Sequence, residues 1–489
     1  LSKKDDSAER LRDAHHPEAF RLSGHALVDQ LASHLERAHA RDVVVSPSVP
    51  PAEMLQRFPA LFPEEAAAPE DVRAFYTRVL QGSTQLHSPR FLGHQVSAPL
   101  PEAALLELLS AFLNNGTGVY EMGPASNAME RSVLSFMCQK LGLPKGSGGL
   151  LTSGGSMGNL TALLAMRQAR AGHDAWTQGT SPNLCVLASQ ETHYSIARAV
   201  QILGWGKDGV WPVRSDSAFR LEPQALLPAL EAARAKGRKV LGVVACAGST
   251  ATGSFDPLPR IAEFCEREGL WLHVDGAHGA SVAMSRTHGA MLAGIERADS
   301  VVWDAHKMMM LPALVTAVLF QNEGHAAAAF AQEQSYLFDG DGAPWWDSGL
   351  RTLECTKRMM SVELYGALLL RGTRVFEDHI DRTFALARLL AERLKDSPDF
   401  ELALEPDCNI VCFRHVPKLP GGPLSDERLD QLQGQIKTFI RERGQSYVVQ
   451  TRLRGRLHLR VTVMNPLSTP ADLDGLLEEI RAAAHALVG

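Results

Sequence analysis

The sequence predicts an α/β fold: a mostly parallel sheet with helices on both faces, preceded by a helical arm and followed by a small α+β part. Three observations predict it. Short apolar runs alternate with helical patterns at βα spacing through the middle of the chain. Two of the runs, Leu270–Val274 and Ser300–Trp303, end in a polar residue and then small residues. A buried parallel strand reads this way when it delivers a side chain at its C-terminal end. Past about residue 375 the pattern changes to the strands and helices of a smaller unit.

Taken in order, residues 1–90 form the arm. Leu22, Ala26, Leu27, Leu31 and Leu35 recur at helical spacing between Pro17 and Ala40. A Pro-rich linker at 46–51 and a second helix near Pro69–Gln81 follow. Such an amphipathic arm is marginal alone and is expected to pack on another surface. Residues 91–375 carry the large unit. It opens with a helix over Glu102–Leu113, and GLLTSGGSMGNLTALLAMRQAR then reads as a short strand, a Gly/Ser turn and a helix. Backbone N–H groups at that helix start make an anion site, with Gly155 and Ser156 as donors. Asn183–Ser189 is a strand with His193 just beyond it, and Val240–Ala245 is a strand leading to a turn that holds Thr250. Pro257–Glu268 is a helix, Met308–Met310 reads as core packing, and His325–Gln334 is helical. Gly and Asp clusters after Tyr336 mark a mobile loop. Helices from about Val362 to Lys395 lead into the small unit, 376–489. Its strands lie near Glu401–Cys412 and Gln445–Met464, and its helices near Asp426–Arg443 and Ala471–Ala484.

Composition narrows the function. A chain of 489 residues with 45% hydrophobic and 21% charged residues can bury a large core without staples. The net charge of −6 gives no support to a nucleic-acid or anionic-membrane partner. No apolar run approaches the roughly 20 residues of a membrane span. The seven cysteines are scattered, odd in number and without a CxxC pair, which argues for reduced thiols and against a disulfide framework or a zinc site; no metal is expected. The N-terminus is charged and lacks an apolar signal core, so a cytoplasmic location is expected, with the natural start upstream of Leu1.

The chemistry concentrates at two strand ends. The first run delivers Asp275; the second delivers Asp304, His306 and Lys307. A lone Asp in such a place is ordinarily a helix cap, and a lone Lys is ordinarily a surface residue. The pairing of His-Val-Asp-Gly-Ala with Asp-Ala-His-Lys across a helix-sized gap is the signal. Pyridoxal phosphate needs a lysine for its Schiff base and an acid that keeps its ring nitrogen protonated.

These motifs resemble the group II pyridoxal-phosphate amino-acid decarboxylases, most of all the glutamate and cysteine-sulfinate decarboxylase branch. The resemblance runs from about Ser88 to the C-terminus. It implies a fold-type I pyridoxal-phosphate enzyme with a seven-stranded-type sheet, working as a homodimer whose N-terminal arms pack on the partner. It implies that Lys307 carries the cofactor, that Asp275 binds the pyridine nitrogen, and that His193, in a His-Tyr-Ser motif, stacks on the ring. Thr250 is implied to lie near the cofactor hydroxyl, and Gly155, Ser156, Asp304 and His306 around the phosphate. Arg460, in LHLRVTVMNP, corresponds to the arginine that holds the substrate α-carboxylate, with His94 and Gln95 as further substrate contacts. Tyr336 corresponds to a loop tyrosine that enters the neighbouring subunit's site.

The expected function is decarboxylation of an L-amino acid, releasing CO₂ and an amine, with an acidic substrate such as glutamate, aspartate or cysteine sulfinate. Aromatic or diamino-acid decarboxylation, aldehyde-forming oxidative decarboxylation and transamination are the alternatives on the same scaffold. Two departures from the branch stand out. Asp304 replaces an asparagine common in relatives, placing an anion near a phosphate. Gly116 and Gly118 stand where the glutamate branch carries larger pocket residues, so the segments 93–97 and 116–118 are expected to set substrate choice.

Overall fold

In the computed structural model, residues 2–58, 60, 62–330, 345–420 and 422–488 are described. Near-continuous apolar runs build a seven-stranded sheet from β1 (Gly148–Thr152), β2 (Leu184–Ser189), β3 (Val210–Val213), β4 (Lys239–Cys246), β5 (Trp271–Asp275), β6 (Ser300–Asp304) and β7 (Thr316–Phe320). Their order across the sheet is β1-β7-β6-β5-β4-β2-β3. Every residue of β1, β2, β5, β6 and β7 is buried, which is why these strands read as runs and not as alternations.

The pairs joining β3, β2, β4, β5 and β6 are parallel. Only β7 runs against its neighbours, β6 and β1. The cause is local. No helix occupies the link 305–315 between β6 and β7, so the chain cannot cross over and must return antiparallel. Six strands therefore point their C-terminal ends to one edge, where open α/β sheets bind ligands.

Two apolar layers cover the sheet. One packs helices Gly155–Arg170 and Tyr194–Ile202 on one face, and the other packs Leu226–Ala235 and Leu258–Glu268 on the opposite face. A third core belongs to an antiparallel sheet of order β10-β11-β9-β8, with β8 at Phe400–Leu402, β9 at Ile410–His415, β10 at Val449–Leu453 and β11 at Arg456–Thr462. Helices Asp426–Arg443 and Pro470–Val488 pack with it. The helix predicted over His325–Gln334 is present as Gly324–Phe330, and its remainder lies outside the described residues. The helix Pro124–Lys140 and the strands β3 and β7 stand beyond the expected elements.

The N-terminal helices Pro17–His39 and Pro69–Gly82 match the expected ones closely. Just past the arm's helix Pro17–His39, Arg41 grips Asp472 of the C-terminal helix through two hydrogen bonds of 2.7 Å, and Val45 N–H donates to the Gly444 carbonyl at 2.7 Å. The arm's apolar side chains Phe20, Leu22, Val28 and Leu31 remain exposed. Among the described residues no helix is long and apolar enough to cross a membrane.

One buried ion pair ties the front of the sheet to the segment after residue 345. Lys357, fully buried, donates to Glu130 Oε1 at 2.6 Å, and the same oxygen accepts Leu151 N–H of β1 at 3.0 Å. Removing one partner of such a pair strands the other charge in a dry site. Lys357→Met should therefore cost about 3–5 kcal/mol in urea unfolding. Adding Glu130→Gln, which can still accept the Leu151 N–H, should recover part of that loss.

Candidate active site

Five strand ends meet at one cavity of about 410 Å³, lined by Ser153, Gly154, Gly155, Ser156, Asn159, His193, Cys246, Thr250, Asp275, His278, Asp304, His306 and Lys307. The sequence places its chemistry there because β1, β2, β4, β5 and β6 all end at that edge. The predicted residues Lys307, Asp275, His193, Gly155, Ser156, Thr250, Asp304 and His306 are brought together.

Gly155 begins the helix Gly155–Arg170, so the N–H groups of its first turn face the cavity edge with the positive end of the helix dipole. A Cβ on Gly155 would lie 3.0 Å from an oxygen of Asp304 and 3.4 Å from the Ala277 side chain. A side chain there would fill the cup. Asp304 is nearly fully buried. Its Oδ1 accepts the Thr316 hydroxyl from β7 at 2.6 Å, and its Oδ2 lies 3.1 Å from Lys307 Nζ and 3.5 Å from His306 Nε2. His306 Nδ1 rests against the Val315 peptide, 3.0 Å from its oxygen and 3.2 Å from its nitrogen.

Asp275 ends β5 across the cavity. Its Oδ2 accepts Asn159 Nδ2–H at 2.9 Å and its Oδ1 accepts Ala277 N–H at 3.2 Å. His193 caps the helix Tyr194–Ile202, its Nδ1 lying 2.8 Å from Ser195 Oγ. Burial pulls the His193 pKa below the usual range, against the opposing pull of Asp275.

Three residues of the site carried no signal that was read from the sequence. Asn159 stands one turn into the helix Gly155–Arg170. His273 precedes Asp275 by two residues, and the period-2 rule that puts both on one face of β5 could have found it. His278 lies three residues after Asp275. Asn409 Nδ2 donates to the Val463 carbonyl, so its Oδ1 must accept His278 Nε2–H, at 2.8 Å. Burial first, and Lys307 second, hold the His278 pKa down to about 3, which leaves it a neutral acceptor.

Other predicted residues stand behind the cavity wall. Arg460 on β11 is nearly fully buried and donates to the carbonyls of Thr250 at 2.7 Å and Ala251 at 3.1 Å. Burial lowers its pKa from the usual guanidinium value. The same turn is held from the small sheet by Cys412, whose thiol donates to the Ala251 carbonyl at 3.3 Å. It is also held by Asp407, which accepts Phe255 N–H at 3.2 Å and pairs with Arg220. His94 keeps part of its surface exposed, and its partial burial, then Arg460 and Lys437, lowers its pKa. Gln95 is part-buried, and its Nε2 has no partner among the described residues. The Gly116–Gly118 segment does not line the cavity. Thr117 N–H donates to the Lys357 carbonyl at 2.9 Å, and a Cβ on Gly118 would lie 2.3 Å from the Cys355 oxygen. The glycine at 118 answers to that close backbone approach. Tyr336 lies outside the described residues. Among the described residues no cluster of three or more His, Cys, Asp or Glu could hold a metal ion.

The pyridoxal-dependent decarboxylase conserved domain matches residues 51–416. The chain belongs to this family. Human cysteine sulfinic acid decarboxylase is 34% identical over 413 residues, covering 82% of this chain and 83% of the relative. Mouse acidic amino acid decarboxylase GADL1 is 33% identical over 415 residues, covering 82% of this chain and 74% of the relative. The crystal structure of mouse CSAD superposes with a TM-score of 0.90 at 30% identity, covering 96% of this chain and 99% of that one. Rice TDC, solved with PLP and tryptamine, shares the fold at 22% identity, with a TM-score of 0.87.

The protein is thus a pyridoxal-phosphate-dependent amino-acid decarboxylase. The donor set of this decarboxylase fits its cofactor. One amine, one carboxylate with two donors already on it, and a helix start without side chains at its lip surround a single cavity.

Proposed function

We propose that this decarboxylase acts on an acidic L-amino acid such as glutamate, aspartate or cysteine sulfinate, with Lys307 holding the cofactor and Asp275 facing its ring nitrogen. The bound cofactor supplies an electron-accepting ring through which the substrate Cα–carboxylate bond breaks and CO₂ leaves. Asp275 would meet the ring N–H with its carboxylate. The first-turn amides at Gly155 and Ser156 would hold the phosphate, with His306 beside them; the Thr316 hydroxyl occupies one oxygen of Asp304. His193 would cover the ring face, with Thr250 near the ring edge.

The observation that carries the acidic reading is the kinship with decarboxylases of acidic substrates, beside a buried arginine behind Thr250. Arg460 is buried with carbonyls, not carboxylates, as its hydrogen-bond partners, and partial burial first, then Arg460 and Lys437, lowers the pKa of His94. In this reading Arg460 would take the substrate α-carboxylate, and His94, once protonated in the complex, would meet the side-chain acid beside Gln95. Cysteine sulfinic acid and acidic amino acids are the substrates named for the relatives at 33–34% identity.

The same reading makes the working unit a homodimer in the cytoplasm. The helix Pro101–Leu113 exposes Leu105, Leu108, Leu109 and Phe112, and Phe112 meets Phe20 of the arm with ring centroids 5.2 Å apart. A continuous apolar face of this kind suits a second copy of the chain. All seven cysteines are free, as a reducing compartment would keep them.

Three outcomes are expected. Wild-type protein should be yellow, with cofactor fixed to Lys307 on borohydride reduction. Lys307→Ala should lose that visible band, and Asp275→Ala should bind cofactor yet decarboxylate at least about 10²-fold more slowly. A borohydride-stable adduct in Lys307→Ala would refute the assignment.

A panel of L-amino acids assayed for CO₂ release should show turnover of glutamate, aspartate or cysteine sulfinate. Turnover confined to aromatic or diamino acids would overturn the acidic reading and leave the decarboxylase standing.

Tyr336 completes the reading as the proton donor to Cα, reaching the partner's cavity. Tyr336→Phe should still release CO₂ but yield less amine. Hybrids of Lys307→Ala and Tyr336→Phe subunits should recover amine formation toward half of wild type per dimer. Verified hybrids without recovery would put both residues in one subunit's site, or remove Tyr336 from the chemistry.

A further inference from the structure

We propose that Asn159 is a positioning residue that couples Asp275 to His193, and that its orientation is set by a buried relay running from Trp271 through Ser300 and His273. The proposal rests on the reading that the cofactor ring lies between Asp275 and His193.

The relay has one consistent assignment of protons. Trp271 Nε1–H can only donate, and it donates to Ser300 Oγ at 2.8 Å. An ionised Asp275 can only accept, so the Asn159 group facing it at 2.9 Å is the amide nitrogen. That turns Asn159 Oδ1 toward His273 Nε2 at 3.0 Å, so Nε2 carries the proton. Burial holds the His273 pKa down to about 4, and the ring is neutral. Its Nδ1 must therefore accept, and the Ser300 hydroxyl donates to it at 2.9 Å. The second Asn159 N–H goes to Ser195 Oγ at 2.9 Å. The Ser195 hydroxyl is then left to donate to His193 Nδ1 at 2.8 Å. His193 is thereby held with its proton on Nε2.

Asn159, His273, Ser300 and Trp271 are all at most 1% exposed, so water cannot substitute for a lost partner. The consequence is a shared control. One amide supplies a donor to the carboxylate meant for the ring nitrogen and fixes the tautomer of the imidazole over the ring face. A carboxylate with one donor fewer holds the ring-nitrogen proton more tightly to itself, and the nitrogen linked to Lys307 becomes more basic.

The test compares full-length Asn159→Leu, Ser300→Ala, their double variant, His273→Gln and His273→Leu with wild type. Pyridoxal phosphate is titrated into each apo protein, the visible band of the bound cofactor is followed against pH, and apo Tm is recorded. Asn159→Leu should weaken cofactor binding about tenfold or more and move the band's midpoint up by about one pH unit. Ser300→Ala, which touches neither Asp275 nor the cavity lining, should move both in the same direction by less. The double variant should be no worse than Asn159→Leu alone, because Ser300 acts through Asn159. His273→Gln, which keeps a donor toward Asn159, should stay near wild type where His273→Leu does not. If Asn159→Leu fails to fold, Ser300→Ala and the two His273 variants carry the comparison. Variants that lower apo Tm while leaving affinity and midpoint at wild-type values would overturn the relay as a merely structural network. So would effects of Asn159→Leu and Ser300→Ala that simply add. A wild-type protein with no reducible cofactor at Lys307 would instead overturn the reading on which the relay rests.

Discussion

The structure depends on keeping one carboxylate charged in a dry place. Asp275 is 7% exposed at the end of the central, fully buried strand of the sheet, where an unpaired charge would be neutralised or expelled. Two N–H donors, from Asn159 and from the Ala277 backbone, offset the lost hydration. Both come from the site's own construction: the Ala277 amide from the turn that ends β5, and Asn159 from the helix whose first residues form the anion cup. The position of that helix therefore answers to the charge of Asp275 as much as to the cup.

The antiparallel strand contributes in a similar way. β7 inserts between β1 and β6, so Thr316 stands beside both Thr152 and Asp304 in the register. Its hydroxyl occupies one oxygen of Asp304, and Lys307 stands by the other. A parallel crossover at that place would have put a helix between β6 and its neighbour and left the carboxylate without this partner. The unusual acid in the cup and the one reversed strand are thus a single arrangement.

Much of this was legible in the sequence because both signals were local. Strand ends followed by small residues announced Asp275 and Lys307, and the Gly/Ser turn announced the helix start at Gly155. The small unit's helix over Asp426–Arg443 was readable because its apolar residues recur at helical spacing and Gly444 closes it with positive φ. What escaped was what depends on contacts between distant segments. Asn159, His273 and Ser300 look like an ordinary helix amide and two strand residues until the fold sets His273 between the other two, 3.0 Å from Asn159 and 2.9 Å from Ser300. Gly118 read as a change in the substrate pocket because its absent side chain has no visible partner in the sequence; the Cys355 carbonyl that requires it is far along the chain. The strand β7 was missed because its direction is decided by the missing helix before it, not by its own residues.

The turn after β4 belongs to one sheet by covalent connection and to the other by attachment. Arg460, Cys412 and Asp407 all come from the small unit, and each binds the backbone between Thr250 and Phe255. Thr250, at the start of that backbone, lines the cavity. Mechanically, the small sheet is the frame and the turn is a pane set into it. A tilt of the frame would be felt at the cavity through Thr250, and also through His278, which Asn409 of the small unit holds. Changes in the packing of the C-terminal helices can therefore reach the cavity lining without any substitution in the lining itself.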